Sequence, residues 1–302
     1  MKSGMKYKSN DEKRFRLFAT IILTVLTVIT LLPILLIVIA SVTSEDVLVS
    51  TGYTFVPSKL SLDSYYYMVK QSAMILRAYG ISIFVTVAGT VTSVLITSML
   101  AYPMSRRGFC FRNALAFFVF FTMLFNGGIV SSYIMWSRFF AIRNTIWALI
   151  VPNYLVTAFN VFLVRNYFMN GIPEAVVESA KIDGAGEFRI FTRIMFPLAV
   201  PVVATISLFT ALLYWNDFVN GLYYITNADM YGIQNLLIRI MNNIQFLRVS
   251  TNAALLGTQE IDLPGTSVRM AMAVIGILPI VIIYPFVQKY FIKGVVLGAV
   301  KG

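Results

Sequence analysis

An all-α polytopic membrane protein with six transmembrane helices and both termini in the cytoplasm is predicted from three observations. Hydrophobic residues make up 58% of the 302 and charged residues 12%, with a mean hydropathy of +0.79, too little polar surface to coat a water-soluble globule. Uncharged runs long enough to cross ~30 Å of hydrocarbon at ~1.5 Å per residue recur along the chain. Basic residues concentrate in alternate loops, the pattern of a chain whose retained charges fix its orientation.

The runs occupy 17–42, 80–105, 113–137, 144–164, 194–216 and 270–288, predicting a single transmembrane domain over 1–302. The first follows a basic stretch like that of a secretory signal, but its apolar core is about twice as long as a signal's, which predicts an uncleaved helix. An outer-membrane barrel is excluded because no run alternates polar and apolar residues. With an even number of spans the loops fall into two sets. The set containing the termini holds 16 of the 24 Lys and Arg residues, so both termini and the 165–193 loop are expected inside a bacterial plasma membrane. The net charge of +11 therefore orients the chain against anionic lipid headgroups; nucleic acid is not an expected partner. The single cysteine, Cys110, excludes an internal disulfide.

The same sequence excludes much chemistry. It has no histidine, hence no Ser-His-Asp or Cys-His catalysis and no imidazole metal site, and no G-x-x-x-x-G-K-[ST] run to cradle a nucleotide. The chain is not expected to be an enzyme or to hold a metal. The spans contain no Asp or Glu, with only Asp217 touching an end, which weighs against the main competing class, an ion-coupled secondary carrier. The carboxylate pairs Glu45 with Asp46 and Glu260 with Asp262 are expected on solvated surface.

Against this background 165–193 stands out, with four basic residues and Glu174, Glu178, Asp183 and Glu187 between two uncharged spans. Pro173 suits a first helical turn, Glu174 the positive end of the helix dipole, and Gly184 a turn. Ala175, Ser179 and Ile182 share a narrow, small-residue face able to seat in a groove, and Phe188, Phe191 and Ile194 are expected to face the membrane-side core. Glu178-Ser179-Ala180, then Gly184, then Ile194-Met195-Phe196-Pro197 resembles the cytoplasmic coupling motif of ABC importer permeases, E-A-A-x3-G-x9-I-x-L-P, with every spacing kept. Serine replaces the first alanine and phenylalanine the leucine. The flanking Ile182-Asp183-Gly184-Ala185 and Phe196-Pro197-Leu198-Ala199-Val200-Pro201, and the tail 293–302, resemble the carbohydrate-importing, maltose-type branch.

That resemblance implies the type I ABC importer permease fold. It also implies partners: a second, similar permease subunit, two ATP-binding subunits that hold ATP and magnesium, and an external solute-binding protein delivering an oligosaccharide. An amino-acid or peptide cargo is the alternative on the same scaffold. By the likeness Glu178 would pair with a donor on the motor subunit, Gly184 would allow the turn and Asp183 would help fix it, while Ser179 and Ala180 are small enough for docking. The tail would thread toward the motor interface.

Polar and aromatic residues at membrane depth suggest the path. Asn153 and Asn160, seven apart, are expected on one face of the fourth helix, and Tyr214, Trp215 and Asn216 near the outer half of the fifth. Rings for sugar C–H faces and amides for hydroxyls suit a neutral sugar; an interfacial aromatic belt with asparagines joining helices is the other reading of the same residues. Pro33, Pro103, Pro152, Pro201, Pro279, Pro285 and Gly127-Gly128 suit spans that bend around a pathway. The loop 218–267 is expected outside, with 224–231 as its tip, and Tyr65-Tyr66-Tyr67 on the headgroups.

Overall fold

The computed structural model describes residues 10–70, 72–249 and 265–299. Among these residues there is no strand, only an isolated antiparallel bridge between Thr43 and Leu60. Three helices are long and apolar enough to cross a membrane, and five crossings result if each of two bent pairs counts as one. The described residues fall into two compact units, those within 1–71 and 243–277 and those within 72–242 and 278–302.

In the first unit, helix α1 (Asn10–Ser41) carries Pro33 without breaking and leaves its apolar residues exposed along its length, as a lipid-facing helix does. After it the Ser41 hydroxyl meets the Tyr65 hydroxyl at 2.8 Å, and short helices α2 (Glu45–Thr51) and α3 (Asp63–Lys70) follow. Tyr65 is thus tied inward, whereas Tyr66 is exposed beneath the Lys70 ammonium. Glu45 is not simply solvated. Its carboxylate accepts from the Thr266 and Ser267 backbone N–H groups at 2.7 and 2.9 Å and from the Ser267 hydroxyl at 2.9 Å. It therefore serves the free amides that begin the last helix, Thr266–Ala299. Glu260 and Asp262 lie outside the described residues.

The second unit is built on α4 (Ser72–Ser105), which packs against α8 (Ala158–Asn170) and α12 (Val200–Trp215). Small residues on α4 let the helices approach closely. A Cβ on Gly89 would lie 2.5 Å from the Tyr214 ring. Three of the predicted spans, 113–137, 144–164 and 194–216, are interrupted. The 113–137 stretch is α5 (Arg112–Leu124) and α6 (Gly128–Ile134), the latter running into a π turn (Met135–Phe139), with a bend of 116° at Gly127-Gly128. The 144–164 stretch departs from a single helix. A four-residue helix α7 (Trp147–Ile150) ends at Pro152, Asn153 takes a left-handed φ of 70°, and α8 starts only at Ala158. The proline removes a backbone donor and restricts the residue before it, which stops the helix there.

Segment 165–193 contains α9 (Glu174–Ile182) and α10 (Glu187–Ile190). The latter continues through a π turn (Phe191–Met195) into α11 (Phe196–Leu198), bent 79° from α12. Pro201 sits in the first turn of α12, where a missing N–H costs nothing. Beyond α12 come α13 (Val219–Tyr224), a 3₁₀ turn (Ala228–Met230) and α14 (Ile233–Val249); residues 250–264 of the predicted outer loop lie outside the described residues. The last helix, α15 (Thr266–Ala299), keeps Pro279 and Pro285 inside it. Of the tail, 293–299 is helical and 300–302 lies outside the described residues.

Candidate functional site

The hook forms where local chemistry demands it. Val177 and Ala180 of α9 are buried in one core with Ile172, Phe168, Ile190 and Met195, so the helix lies on its apolar side. Its end is a complete Schellman cap. The Gly184 N–H donates to the Lys181 carbonyl at 3.0 Å and the Ala185 N–H to the Ala180 carbonyl at 2.9 Å, with Gly184 at φ 77°. Glycine is the residue that adopts this conformation without a Cβ penalty, and nothing lies within 4 Å of where a Cβ would stand. Gly184 therefore supplies the turn.

Two contacts, Tyr102 with Glu187 and Arg107 with Glu174, fasten the hook to the end of α4, and a third closes the hook on itself. The Lys181 ammonium lies 2.7 Å from one Glu187 carboxylate oxygen, and the Tyr102 hydroxyl donates to the other. The Tyr102 ring is buried against Phe168 and Phe191, beneath the Arg106 guanidinium. Arg107 reaches Glu174 at 3.7 Å. The sequence offers no sign of the Tyr102 contact, because 85 residues separate the partners.

The opposite face is outward. Ala175, Glu178, Ser179 and Asp183 are exposed, Ile182 is 86% exposed, and Phe188 is 73% exposed. Ala180 is the member of the motif that turns inward. The side chains of Glu178, Asp183, Arg189 and Arg193 have no hydrogen-bond or ion-pair partner among the described residues. The expected inward stripe of Phe188, Phe191 and Ile194 is replaced by Ile190, Phe191 and Met195, with Ile194 packed at the margin. The π turn, through its i→i+5 bonding, accounts for Met195 in place of Ile194, whereas Ile190 in place of Phe188 is set in the α-helical turn before it.

Of the predicted path residues, most are spent within the chain. The Asn160 amide, on α8 and buried, donates to the Thr210 hydroxyl on α12 at 3.2 Å, joining the two helices. The Tyr214 hydroxyl donates to the Ile150 carbonyl at 2.7 Å, and its ring meets Tyr154 edge-on at 5.5 Å. Trp215 is buried beside Tyr79 in an apolar cleft with Leu208, Leu212, Pro279 and Ile283. Asn216 is exposed and turns back to the Leu212 carbonyl at 2.9 Å. Asn153 does not share a helix face with Asn160, because it lies in the turn before α8; its amide donates to Asn220 at 2.9 Å.

Asn220, missed at the sequence level, and Asp217, noted there only as touching a span end, organise that region. Asn220 is fully buried and also donates to the Pro152 carbonyl at 3.2 Å. One Asp217 oxygen accepts from the Val219 and Asn220 N–H groups at 3.0 and 3.2 Å and from the Tyr154 hydroxyl at 3.4 Å. Asp217 thus starts α13 while pinning the broken 144–164 segment to the end of α12, and a carboxylate two residues before a short helix was the available signal. The expected outer tip at 224–231 is a clamped corner. Asn144 bonds Thr226 and the Asn227 N–H, Asp229 pairs with Arg77, and Arg239 lies over Tyr231.

A set of interrupted apolar helices carrying an outward-facing soluble hook is the build of a membrane transport subunit. The family model described as "Binding-protein-dependent transport system inner membrane component" matches residues 91–296, and the chain belongs to that family. It is similar to the polygalacturonan/rhamnogalacturonan transport system permease protein YtcP of Bacillus subtilis, 37% identical over 263 residues that cover 87% of this chain and 90% of the relative. It is also similar to Protein LplC of Bacillus subtilis, 38% identical over 264 residues covering 87% and 86%. Among solved structures, one chain of a bacterial ABC transporter involved in the import of the acidic polysaccharide alginate matches with a TM-score of 0.75 at 28% identity, covering 95% of this chain and 100% of that one. The chain is a permease subunit of an ABC importer, and not an enzyme.

Proposed function

We propose that this permease forms half of a pathway importing an oligosaccharide, paired with a second homologous permease, two ATP-binding subunits and an external solute-binding protein. In this reading the interrupted 144–164 segment supplies a sixth crossing beside the five that helix length allows, so that both termini lie in the cytoplasm of a bacterium and the chain is a multi-pass type I permease. The observation that carries this reading is the hook: a capped helix whose outward face holds Glu178, Ser179 and Ile182, followed by Gly184 at φ 77°. A carboxylate and an apolar side chain offered together, with neither paired at home, suit a groove on a soluble subunit. The cargo class is supported by a relative named for polygalacturonan/rhamnogalacturonan transport.

ATP and magnesium bind the partner subunits, and their closure moves the hook. Motion passes along two routes from it, the Lys181–Glu187–Tyr102 contact into α4 and the continuous α10–α11 shaft toward α12. Because α4 and α12 pack on each other, both reach one helix pair, which shifts between inward- and outward-open arrangements. The test is co-purification with an ATPase, followed by Glu178→Ala in the assembled complex. We expect binding-protein-stimulated ATP hydrolysis and uptake to be lost while assembly persists. Uptake driven by an ion gradient in ATP-free vesicles would overturn the reading in favour of a secondary carrier, and ATP-driven uptake of amino acids or peptides instead of glycans would overturn the cargo.

A further inference from the structure

Three helix interruptions meet at one cavity. The first is the break between α5 and α6, where the Asn126 side chain accepts from the Gly128 N–H at 2.8 Å and Gly128 has φ 80°. The second is the turn after α7, with Asn153 at φ 70°. The third is the step from α12 to α13, organised by Asp217. Their side chains border an open cavity of about 270 Å³ that Asn126, Ser132, Asn153, Asn220, Tyr223 and Tyr224 help to line. At membrane depth, interrupted helices persist where they line a cavity, and polar groups gathered there mark solute sites.

We propose that this cavity is a contact for one sugar ring of the cargo, recognised through its hydroxyls and its C–H face; the proposal rests on the importer reading above. Three properties of the cavity argue for that ligand. Its volume is near the lower end of ligand sites, ~300–1,000 Å³, and so admits a single ring rather than a chain. Asn220 is bonded through both its amide groups, but the Asn126 NH2 and the Asn153 carbonyl oxygen keep one donor and one acceptor for a ring of vicinal hydroxyls, and the lining has no charged side chain. A uronate ring would therefore be held by its hydroxyls, its carboxylate finding no cation here. Finally, the hydroxyls of Ser132 and Tyr223 have no hydrogen-bond partner among the described residues, and Tyr223 is 41% exposed, leaving its ring face available for stacking. Asn160 and Tyr214, by contrast, are buried between helices and donate to the Thr210 hydroxyl and the Ile150 carbonyl.

The experiment is uptake by the complete importer in proteoliposomes, with its binding protein outside and ATP inside, using labelled galactotriose, arabinotriose and trigalacturonate. For each probe the wild type imports, Ser132→Ala and Tyr223→Ala should each raise the half-saturating concentration about fivefold, the loss of one hydrogen bond or stacking contact, with maximal stimulated ATP hydrolysis unchanged. Tyr223→Phe should recover the stacking share, and Asn160→Ala should leave half-saturation where it was. Unchanged half-saturation in both alanine variants, or a fall in maximal rate without a shift, would overturn the cavity as a contact while the importer reading stands. Import of no probe by the wild type would remove the carbohydrate reading and the cavity with it.

Discussion

Replacing Gly184 isolates the conformational cost of the hook from its shape. The residue sits at φ 77° with open space for 4 Å around the position a Cβ would take, so a side chain meets strain without collision. For an L-residue that strain is about 1–2 kcal/mol, and asparagine, which tolerates the left-handed region, bears less of it. Relieving the strain means giving up the cap bonds from Gly184 to Lys181 and from Ala185 to Ala180, which lie between Lys181 and its partner Glu187. If the ATPase subunit binds only the capped form, the strain appears as weakened binding, and every ~1.4 kcal/mol is tenfold. Titration of purified ATPase subunit onto nanodisc-embedded permease pair should therefore give affinities falling in the order Gly, Asn, Ala, with alanine weaker by about five- to thirtyfold. The order carries the test. Asparagine is larger than alanine, so if the motor needs a bare backbone at Gly184 asparagine will be the worse of the two, and the conformational reasoning fails.

Other substitutions probe other contacts. Gly89→Ala drives a methyl into the Tyr214 ring, which its bond to the Ile150 carbonyl holds in place, and should cost about 1–3 kcal/mol in thermal unfolding of the detergent-solubilised complex; unaltered melting would refute the packing. Glu187→Gln with Lys181→Met, run as a double-mutant cycle on stability, should return a coupling of only about 0.5–1 kcal/mol, since both side chains are more than half exposed. Glu45→Ala removes the acceptor at the start of α15 and should destabilise it by about 0.5–2 kcal/mol, seen as faster hydrogen exchange at the Thr266 and Ser267 amides.

Local chemistry was legible in the sequence, and contacts between distant segments were not. Pro173, Glu174 and Gly184 bound α9 because capping depends on neighbours within a turn, and Gly127-Gly128 marks the break between α5 and α6 for the same reason. Which prolines break a helix was hidden. Pro33, Pro103, Pro279 and Pro285 ride inside continuous helices while Pro152 ends one. The difference at Pro152 is tertiary: its carbonyl is claimed by Asn220 from 68 residues away. That interruption also separates Asn153 from Asn160, which a helical count places together. The exposed sides of α9 could be counted from its period, but the π turn after Ile190 shifts the stripe beyond any uniform count.

The π turn at Phe191–Met195 gives the shaft one residue more than an α-helix would use for the same turn. Each residue added to or taken from a helix rotates everything beyond it by about 100°. The azimuth at which the hook meets its motor is therefore a matter of residue number as much as residue type: deleting one position there would leave a sound helix and a sound hook, aimed at the wrong quarter of the compass.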